Sequence, residues 1–280
     1  LSGSGDRFIA AWNLEKGEQA KFAAELPAPV FSLLPLKARH LLLTGTGAGN
    51  LHVLDVQKKE EIKIIQLHQT QLFDIGISPE FNLLITSGGD GTIAFSDAGT
   101  FELLNTIKLC DQKVRNFAIH PGGELLAVAC GDGLVRVFSL RIKKEIHSFK
   151  AHDLSANCVA WHGEKNILLS GGRDAQLKIW DAAKNYSLLQ SIPAHNYAIY
   201  SIVFSPDKNL FATGSRDKTI KLWDAATFNF LARVDKEKYD AHIHSVNCLL
   251  WTNDSLVSGS DDRQIICWEI NKVDSRGSGP

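Results

Sequence analysis

The chain of 280 residues is 44% hydrophobic and 22% charged, an ordinary globular composition that excludes a disordered or collagen-like chain. Its 30 Lys and Arg residues balance 31 Asp and Glu residues, so the molecule as a whole lacks the charge for non-specific binding to nucleic acid or to a membrane surface. No apolar run approaches the ~18 residues needed to cross a bilayer. Five cysteines without a CxxC pair do not describe a disulfide framework. They favour a reducing compartment, and we expect a cytoplasmic location.

The first feature in chain order is a sequence motif that recurs along the chain. It reads SGSGDRFIAAWN at 2–13, and close copies occur at 170–181, 213–224 and 258–269, with degenerate copies between the first and second of these stretches. When the register is fixed on the Trp, the copies are centred on positions 12, 54, 96, 138, 180, 223 and 268. The successive steps are 42, 42, 42, 42, 43 and 45 residues. Such a regular step predicts a repeat architecture.

Each period divides into four short strand-like runs separated by turn residues. In the period that ends at Trp223 these runs are 188–192, 199–204, 210–213 and 219–223, and they are dense in Val, Ile, Leu and Phe. Nothing between them has the length or the 3.6-residue period of a helix. Four strands per period predict an antiparallel blade. Seven such periods predict an all-β, seven-bladed β-propeller as a single domain over residues 1–272.

The strand inventory is incomplete at both ends of this predicted domain. Blades two to six have four strands each, whereas blade one lacks its first strand and most of its second, and blade seven lacks its fourth. The step length leads us to expect roughly 20–30 further residues before Leu1, or a neighbouring chain that supplies the strands. Residues 273–280 have a linker-like composition, and we expect a flexible tail there.

The period, the Trp-Asp endings and the Ala-His pairs closely resemble those of the WD40-repeat family, from Ser2 to about Ile270. The resemblance implies a hydrogen-bonded tetrad in a blade: a His before the first strand, a Ser or Thr on the second, an Asp in the following turn and a Trp on the third. Such groups are costly to bury alone and tolerable as a closed network. The blades that carry the full set by matching position have His152, Ser170, Asp174 and Trp180; His195, Thr213, Asp217 and Trp223; and His242, Ser258, Asp262 and Trp268.

The other blades depart from this pattern. Blade three keeps a His, a Thr and an Asp but has Ser96 in place of the Trp. Blade four keeps its Asp and has Val128 and Phe138, and blade two has Ala48 and Leu54 at the Asp and Trp positions. We expect apolar packing to hold these blades together.

Three patterns could carry chemistry, and each has a structural interpretation that we favour. Asp240, His242 and His244 are spaced as metal ligands on a strand, but His242 belongs to a tetrad and no fourth ligand lies nearby in sequence. The run GTGAG at 45–49 looks like a phosphate-binding loop, but a strand follows it where a helix would be required. The tetrads contain Ser, His and Asp as in hydrolytic triads, yet their repetition follows the blades. We therefore predict no metal, no cofactor and no catalytic residue.

The WD40 resemblance also implies a partner-binding face at the end of the blades where the first strands begin, with two positions per blade. One position follows the residue that opens the first strand, and the other precedes the turn Asp. The candidates are Phe31, Phe73, Arg115, Asn157, Tyr200 and Asn247 at the first position, and Arg173, Arg216 and Asp261 at the second. Large rings and Arg are typical binding anchors.

The three arginines of this set belong to consecutive blades four, five and six. We expect them to form a basic arc, which suits an acidic or phosphorylated peptide. The alternative is that Arg before the turn Asp is ordinary family consensus and serves only solubility.

The leading functional hypothesis is a non-enzymatic scaffold that binds a peptide or protein partner across this face. The resemblance implies it, although a fold by itself does not fix a function. A second hypothesis is an enzyme or small-molecule binder with a site in the central channel, but the sequence shows no converging carboxylates, metal ligands or cofactor motif for it. A third is nucleic-acid binding through the arginines, which the neutral overall charge disfavours.

Overall fold

A computed structural model describes residues 1–253 and 255–270. Within them the chain forms seven antiparallel sheets, each built from strands that follow one another in sequence. The fold is a seven-bladed β-propeller, and the all-β prediction is confirmed. The helices among these residues are short: one α-helix, α1 (Lys236–Tyr239), and two 3-10 turns at Lys37–Arg39 and Ala182–Lys184. No helix in this part of the chain is long and apolar enough to cross a membrane.

The chain divides into two compact units, and the first comprises Leu1–Lys150. Its strands are β1 (Ser2–Gly3), β2 (Phe8–Asn13), β3 (Glu18–Glu25), β4 (Val30–Leu36), β5 (Leu41–Thr46), β6 (Asn50–Asp55), β7 (Glu60–Gln66), β8 (Leu72–Ser78), β9 (Leu83–Gly88), β10 (Thr92–Asp97), β11 (Leu103–Lys108), β12 (Val114–Ile119), β13 (Leu125–Cys130), β14 (Leu134–Ser139) and β15 (Lys144–Lys150). Blade one is the three-stranded sheet β1–β3, and blades two, three and four are the four-stranded sheets β4–β7, β8–β11 and β12–β15.

The second unit begins at Ala151. Its strands are β16 (Ala156–Trp161), β17 (Ile167–Gly172), β18 (Gln176–Asp181), β19 (Ser187–Pro193), β20 (Ile199–Phe204), β21 (Leu210–Ser215), β22 (Ile220–Asp224), β23 (Phe230–Val234), β24 (Val246–Trp251), β25 (Ser255–Ser260) and β26 (Ile265–Glu269). Blades five and six are the four-stranded sheets β16–β19 and β20–β23, and blade seven has the three strands β24–β26 within the described residues. The strand counts predicted for the seven blades are therefore confirmed, and the predicted tail at 273–280 lies outside the described residues.

The core of each unit lies between neighbouring blades. In the first unit one apolar cluster joins Phe95 of blade three to Phe117 and Phe138 of blade four. In the second unit a cluster joins Leu177 of blade five to Phe211 of blade six. Second strands such as β5 are buried on both faces, whereas fourth strands such as β7 are mostly exposed. Within each unit the first strands of successive blades lie against one another, as β4 and β8 do.

Candidate functional site

The predicted tetrad side chains of blade five lie together at one end of the sheet. Nδ1 of His152 is 2.9 Å from Oδ1 of Asp174, and Nε2 is 2.8 Å from Oγ of Ser170. The indole Nε1 of Trp180 donates to the same Oγ at 2.9 Å. Because the Ser170 hydroxyl accepts from the indole, it is oriented to donate to Nε2, which leaves Nδ1–H to donate to the carboxylate.

Blades six and seven repeat this geometry. In blade six the His–Asp, His–Thr and Trp–Thr distances are 3.0, 2.7 and 3.0 Å. In blade seven the corresponding distances are 2.9, 2.7 and 2.8 Å. The hydroxyl-bearing residues Ser170, Thr213 and Ser258 are fully buried. Although the groups match those of a hydrolytic triad, each hydroxyl is closed off by an indole and has no route to a substrate.

Burial and hydrogen bonding shift the pKa values of these groups in opposite directions. Burial lowers the pKa of His195, against a raising effect from Asp217. At Asp174 burial raises the pKa, but the hydrogen bond and charge of His152, with donors from the backbone, outweigh it and lower the pKa overall. In blade six, where the pKa of Asp217 is also lowered, these shifts favour a neutral imidazole beside an ionised carboxylate.

The other blades use modified networks. In blade three, His68 lies 3.3 Å from Asp90 and 2.8 Å from Thr86, while Oγ of Ser96, at the Trp position, is buried without a hydrogen-bond partner. In blade four, Asp132 pairs with the guanidinium of Arg136 at 2.7 and 3.2 Å. Apolar clusters run through these blades, as expected, but the ion pair of blade four is a feature that the repeat pattern did not predict.

The first set of partner-binding candidates shares a backbone feature. In six blades the pairing of the first strand with the second shifts register across a single residue, which is a β-bulge. The residues within these shifts are Phe31, Phe73, Arg115, Asn157, Tyr200 and Asn247. A bulge withdraws one residue from the ladder and redirects its side chain. The physical basis of this recurring position is therefore the bulge.

Four of the side chains near these bulges in the first unit form what we call the aromatic patch: Phe31, Phe73, Lys113 and Arg115. The two rings meet edge to face with centroids 5.4 Å apart. The guanidinium of Arg115 lies 4.9 Å from the Phe73 ring centre, and Nζ of Lys113 lies 5.8 Å from it. Phe31 is 46% exposed, so this apolar and cationic surface is accessible to solvent.

The candidates of the second unit differ in their surroundings. Arg173 and Arg216 are exposed, and the guanidinium of Arg216 lies 6.0 Å from the ring centre of Tyr197. Tyr200 is half-buried. Asn247 donates through Nδ2 to the carboxylate of Asp261, so these two candidates satisfy each other.

Asn157 does not lie on an accessible surface, contrary to its place among the partner-binding candidates. It is only 4% exposed, and its Nδ2 donates to the carbonyl oxygen of Ile199 at 3.1 Å. Its bulge faces the first strand of blade six, so the amide joins two blades of the second unit. The three arginines of the expected basic arc belong to different units, Arg115 to the first and Arg173 and Arg216 to the second. The arc itself stays a prediction.

Two residues beside these candidates escaped the sequence analysis. Lys113 immediately precedes β12 and joins the aromatic patch. Tyr197, two residues after a tetrad His, is 60% exposed. Leu154 stands at the matching position of blade five and is also exposed. The signal in the sequence that could have identified Tyr197 is a large apolar residue two positions after the tetrad His, a position for which the family resemblance implies no role.

In the structure, the residues of the suggested metal and phosphate motifs form hydrogen bonds, an ion pair or strand connections within the protein. His242 is held in its tetrad, and Asp240 pairs with Lys236. Among the described residues no group of three His, Cys, Asp or Glu side chains is arranged to hold a metal ion. The glycine-rich run at 45–49 connects strand β5 to strand β6 rather than to a helix.

Comparison with known proteins agrees with this geometry. A family model described as WD domain, G-beta repeat matches residues 186–224 and 235–269. A second model, the Anaphase-promoting complex subunit 4 WD40 domain, matches residues 104–164. These stretches of the chain carry WD40-type repeats. The resemblance of the chain to the WD40-repeat family, inferred above from the period and the Trp-Asp endings, is thereby confirmed.

Two curated proteins are similar to parts of this chain. Over 137 residues, 49% of this chain, it is 30% identical to Mitochondrial division protein 1 of Eremothecium gossypii. Over 50 residues, 18% of this chain, it is 38% identical to the CCR4-associated factor 4 homolog of Vanderwaltozyma polyspora. The matched stretches span 14% and 8% of the length of those relatives. The propeller is thus similar to a part of each.

Proposed function

We propose that this WD40 propeller is a non-enzymatic interaction module that docks an acidic or phosphorylated segment of a partner protein, with the aromatic patch as an anchor. Proteins with this type of repeat generally bind other proteins, which supports the class of partner. The observation that carries the finer proposal is the solvent-accessible cluster of Phe31, Phe73 and Arg115 on three β-bulges.

The aromatic patch has the composition of a binding hot spot. Aromatic rings and Arg dominate the energetics of protein interfaces because they bury a large area with few rotatable bonds. The edge-to-face contact of the two rings and the guanidinium above Phe73 hold these side chains in place before a partner arrives. Such preorganisation lowers the entropic cost of binding.

The sign of the surface charge supports an anionic partner segment. Lys113 and Arg115 supply positive charge at the aromatic patch, and Arg173 and Arg216 are exposed on the second unit. The guanidinium of Arg216 lies over the ring of the exposed Tyr197. Guanidinium groups bind carboxylates and phosphates through paired, charge-assisted hydrogen bonds.

A non-enzymatic role is supported by the closure of the tetrads. Their hydroxyl groups are buried, and each already forms hydrogen bonds with an imidazole and an indole. The absence of disulfides among the five cysteines is compatible with the reducing, cytoplasmic environment that we also propose for this chain.

The proposal is tested with a fluorescent peptide that the wild-type protein selects from a degenerate library of acidic and phosphoserine peptides. Arg115→Glu is expected to weaken binding of this peptide by about tenfold or more, which corresponds to ~1.4 kcal/mol. The matched control is Arg141→Glu, since Arg141 also lies over a Phe ring, at 5.6 Å from Phe81, but pairs with Glu124 and is not part of the aromatic patch. Fluorescence anisotropy at fixed salt measures both variants.

Three results would overturn the proposal. They are the failure of the wild type to enrich any acidic or phosphorylated peptide, equal affinities of the Arg115 and Arg141 variants, and tight binding of single-stranded RNA that Arg115→Glu removes. The last result would move the chain to the class of nucleic-acid binders.

A further inference from the structure

Blade four contains a pair of cysteines where other blades have a histidine and a glycine. By the 42-residue step, Cys110 occupies the position of the tetrad residues His68 and His152. Cys130, the last residue of β13, occupies the position of Gly88 and Gly172, as the identical strand registers confirm. The two replacements therefore occur together in the same blade.

The geometry of the neighbouring repeats shows how close these two positions are. A Cβ added at Gly172 would lie 2.5 Å from Cγ of His152, and one at Gly88 would lie 2.6 Å from Cγ of His68. In blade four residue 130 does carry a Cβ, and the smaller Cys110 replaces the imidazole that would obstruct it. The γ atom of residue 110 is its sulfur, so the repeat places the two sulfurs within reach of one covalent bond.

The two thiols differ in their surroundings. Cys130 is fully buried, whereas Cys110 is half-exposed in the loop between β11 and β12. Sγ of Cys110 lies 3.2 Å from the carbonyl oxygen of Gln112 and is also hydrogen-bonded to the Cys130 thiol. The guanidinium of Arg136 lies close enough to Cys130 for a hydrogen bond while it pairs with Asp132.

The charges and hydrogen bonds around the pair favour one thiolate. The hydrogen bond from Cys130 lowers the pKa of Cys110 to about 6, with a smaller lowering effect from Arg136 and an opposing one from Asp132. The same hydrogen bond, together with burial, raises the pKa of Cys130. The accessible sulfur is therefore the nucleophile, and the buried sulfur keeps its proton.

We propose that Cys110 and Cys130 are a modification site, a dithiol that peroxide converts into a reversible intramolecular disulfide. The Cys110 thiolate attacks one oxygen of the peroxide, the O–O bond breaks, and the products are a sulfenic acid on Cys110 and, after protonation, water. The Cys130 sulfur then attacks the Cys110 sulfur, its proton and the hydroxyl leave as a second water, and the S–S bond forms. The two thiols lose two electrons, which the peroxide accepts, and a dithiol reductant returns them.

A non-reducing peptide map tests this proposal on the wild-type protein. Trypsin cleaves after Lys108, Lys113, Arg115 and Arg136, so the two cysteines fall into the separate peptides 109–113 and 116–136. After treatment with hydrogen peroxide and alkylation of the remaining thiols, mass spectrometry is expected to find these peptides joined. Dithiothreitol should separate them. Cys130→Ser is expected to remove the cross-link, and the control Cys267→Ser, which changes an exposed cysteine elsewhere, should retain it.

Oxidation of Cys110 to sulfinic acid without any 109–113 to 116–136 cross-link would overturn the proposal. So would a peroxide-induced cross-link of Cys110 to Cys267 in place of Cys130.

A second measurement examines the nucleophile directly. The rate of iodoacetamide labelling of Cys110 is expected to rise with a midpoint near pH 6 in the wild type, and Cys130→Ala should move this midpoint toward that of a free thiol, about 8.5. Cys130→Ser keeps a hydroxyl donor and should give an intermediate midpoint. Equal midpoints in all three proteins would contradict the role of Cys130, and circular dichroism verifies that each variant is folded.

Discussion

At the scale of single residues, Asp74 is the acidic side chain with the most unusual surroundings. It lies on β8, next to Phe73 of the aromatic patch, and its carboxylate accepts hydrogen bonds from Nδ2 of Asn116 and from the backbone of Ile75 and Phe117. The donors come partly from β12, so the carboxylate joins blades three and four within the first unit. Burial raises the pKa of Asp74 to about 6, although these three donors oppose the shift.

This raised pKa predicts how Asp74 contributes to stability. The unfolded chain has an Asp pKa of ~3.9, so the folded state prefers the protonated acid, and the contribution is fully present below pH ~3.9 and lost as pH rises to about 6. We expect the free energy of unfolding of the wild type, relative to that of Asp74→Asn, to fall by up to about 3 kcal/mol across this window. Urea denaturation at a series of pH values measures the difference.

Asp111→Asn provides the control for this measurement, because the Asp111 side chain is completely exposed. Its free energy of unfolding is measured at the same series of pH values. Parallel curves for the wild type and Asp74→Asn would contradict the raised pKa.

At the scale of elements, each tetrad connects the loop before the first strand to the second strand, the following turn and the third strand. In blade five the carboxylate of Asp174 accepts from His152 and from the backbone N–H groups of Asp153 and Gln176. The entry loop and the turn are thereby fixed to the same sheet. We interpret the tetrads as devices that hold a blade together, and their recurrence follows from the recurrence of the blade.

Removal of one tetrad carboxylate tests this interpretation. Asp174→Ala leaves three donors without their acceptor and is expected to lower the free energy of unfolding by roughly 1–3 kcal/mol. Asp153→Ala, which changes an exposed neighbour, should have little effect. Chemical denaturation compares the two variants with the wild type, and unchanged stability of Asp174→Ala would show that the tetrad assignment is wrong.

At the scale of the whole molecule, near-neutral net charge coexists with local positive charge. The sequence carries a formal charge of −1, yet Arg173 and Arg216, both exposed, stand at equivalent positions of blades five and six. Local charge of this kind contributes to partner specificity and to the rate of association, and added salt weakens it.

We expect Arg173→Glu combined with Arg216→Glu to abolish measurable binding of the selected acidic peptide while leaving the melting temperature nearly unchanged. Both side chains are exposed, so their substitution removes little packing.

The control is Lys184→Glu combined with Lys208→Glu, which changes the net charge by the same amount at two exposed lysines. Anisotropy and differential scanning calorimetry provide the two readouts. Intact peptide binding by the arginine double variant, or an equal loss in the lysine double variant, would eliminate a specific role for these arginines.

The amino-acid sequence determined the architecture of this protein because the repeat is encoded locally. Turn residues, strand-forming runs and the Trp-Asp ending recur at a nearly constant step, so the position of each blade and of each tetrad residue can be read directly. The residue after the first strand's opening residue is bulged in six blades, a backbone feature that the sequence analysis did not predict.

Only the tertiary structure decided which of these equivalent residues are accessible and what they contact. Asn157 and Phe31 share one repeat position, but the first is buried against Ile199 of the next blade and the second is exposed. The pairing of Cys110 with Cys130 likewise depends on a loop and a strand end that are 20 residues apart in sequence. The physical reason is that side-chain burial depends on what the adjacent blade places opposite each residue, and that neighbour lies a full repeat away along the chain.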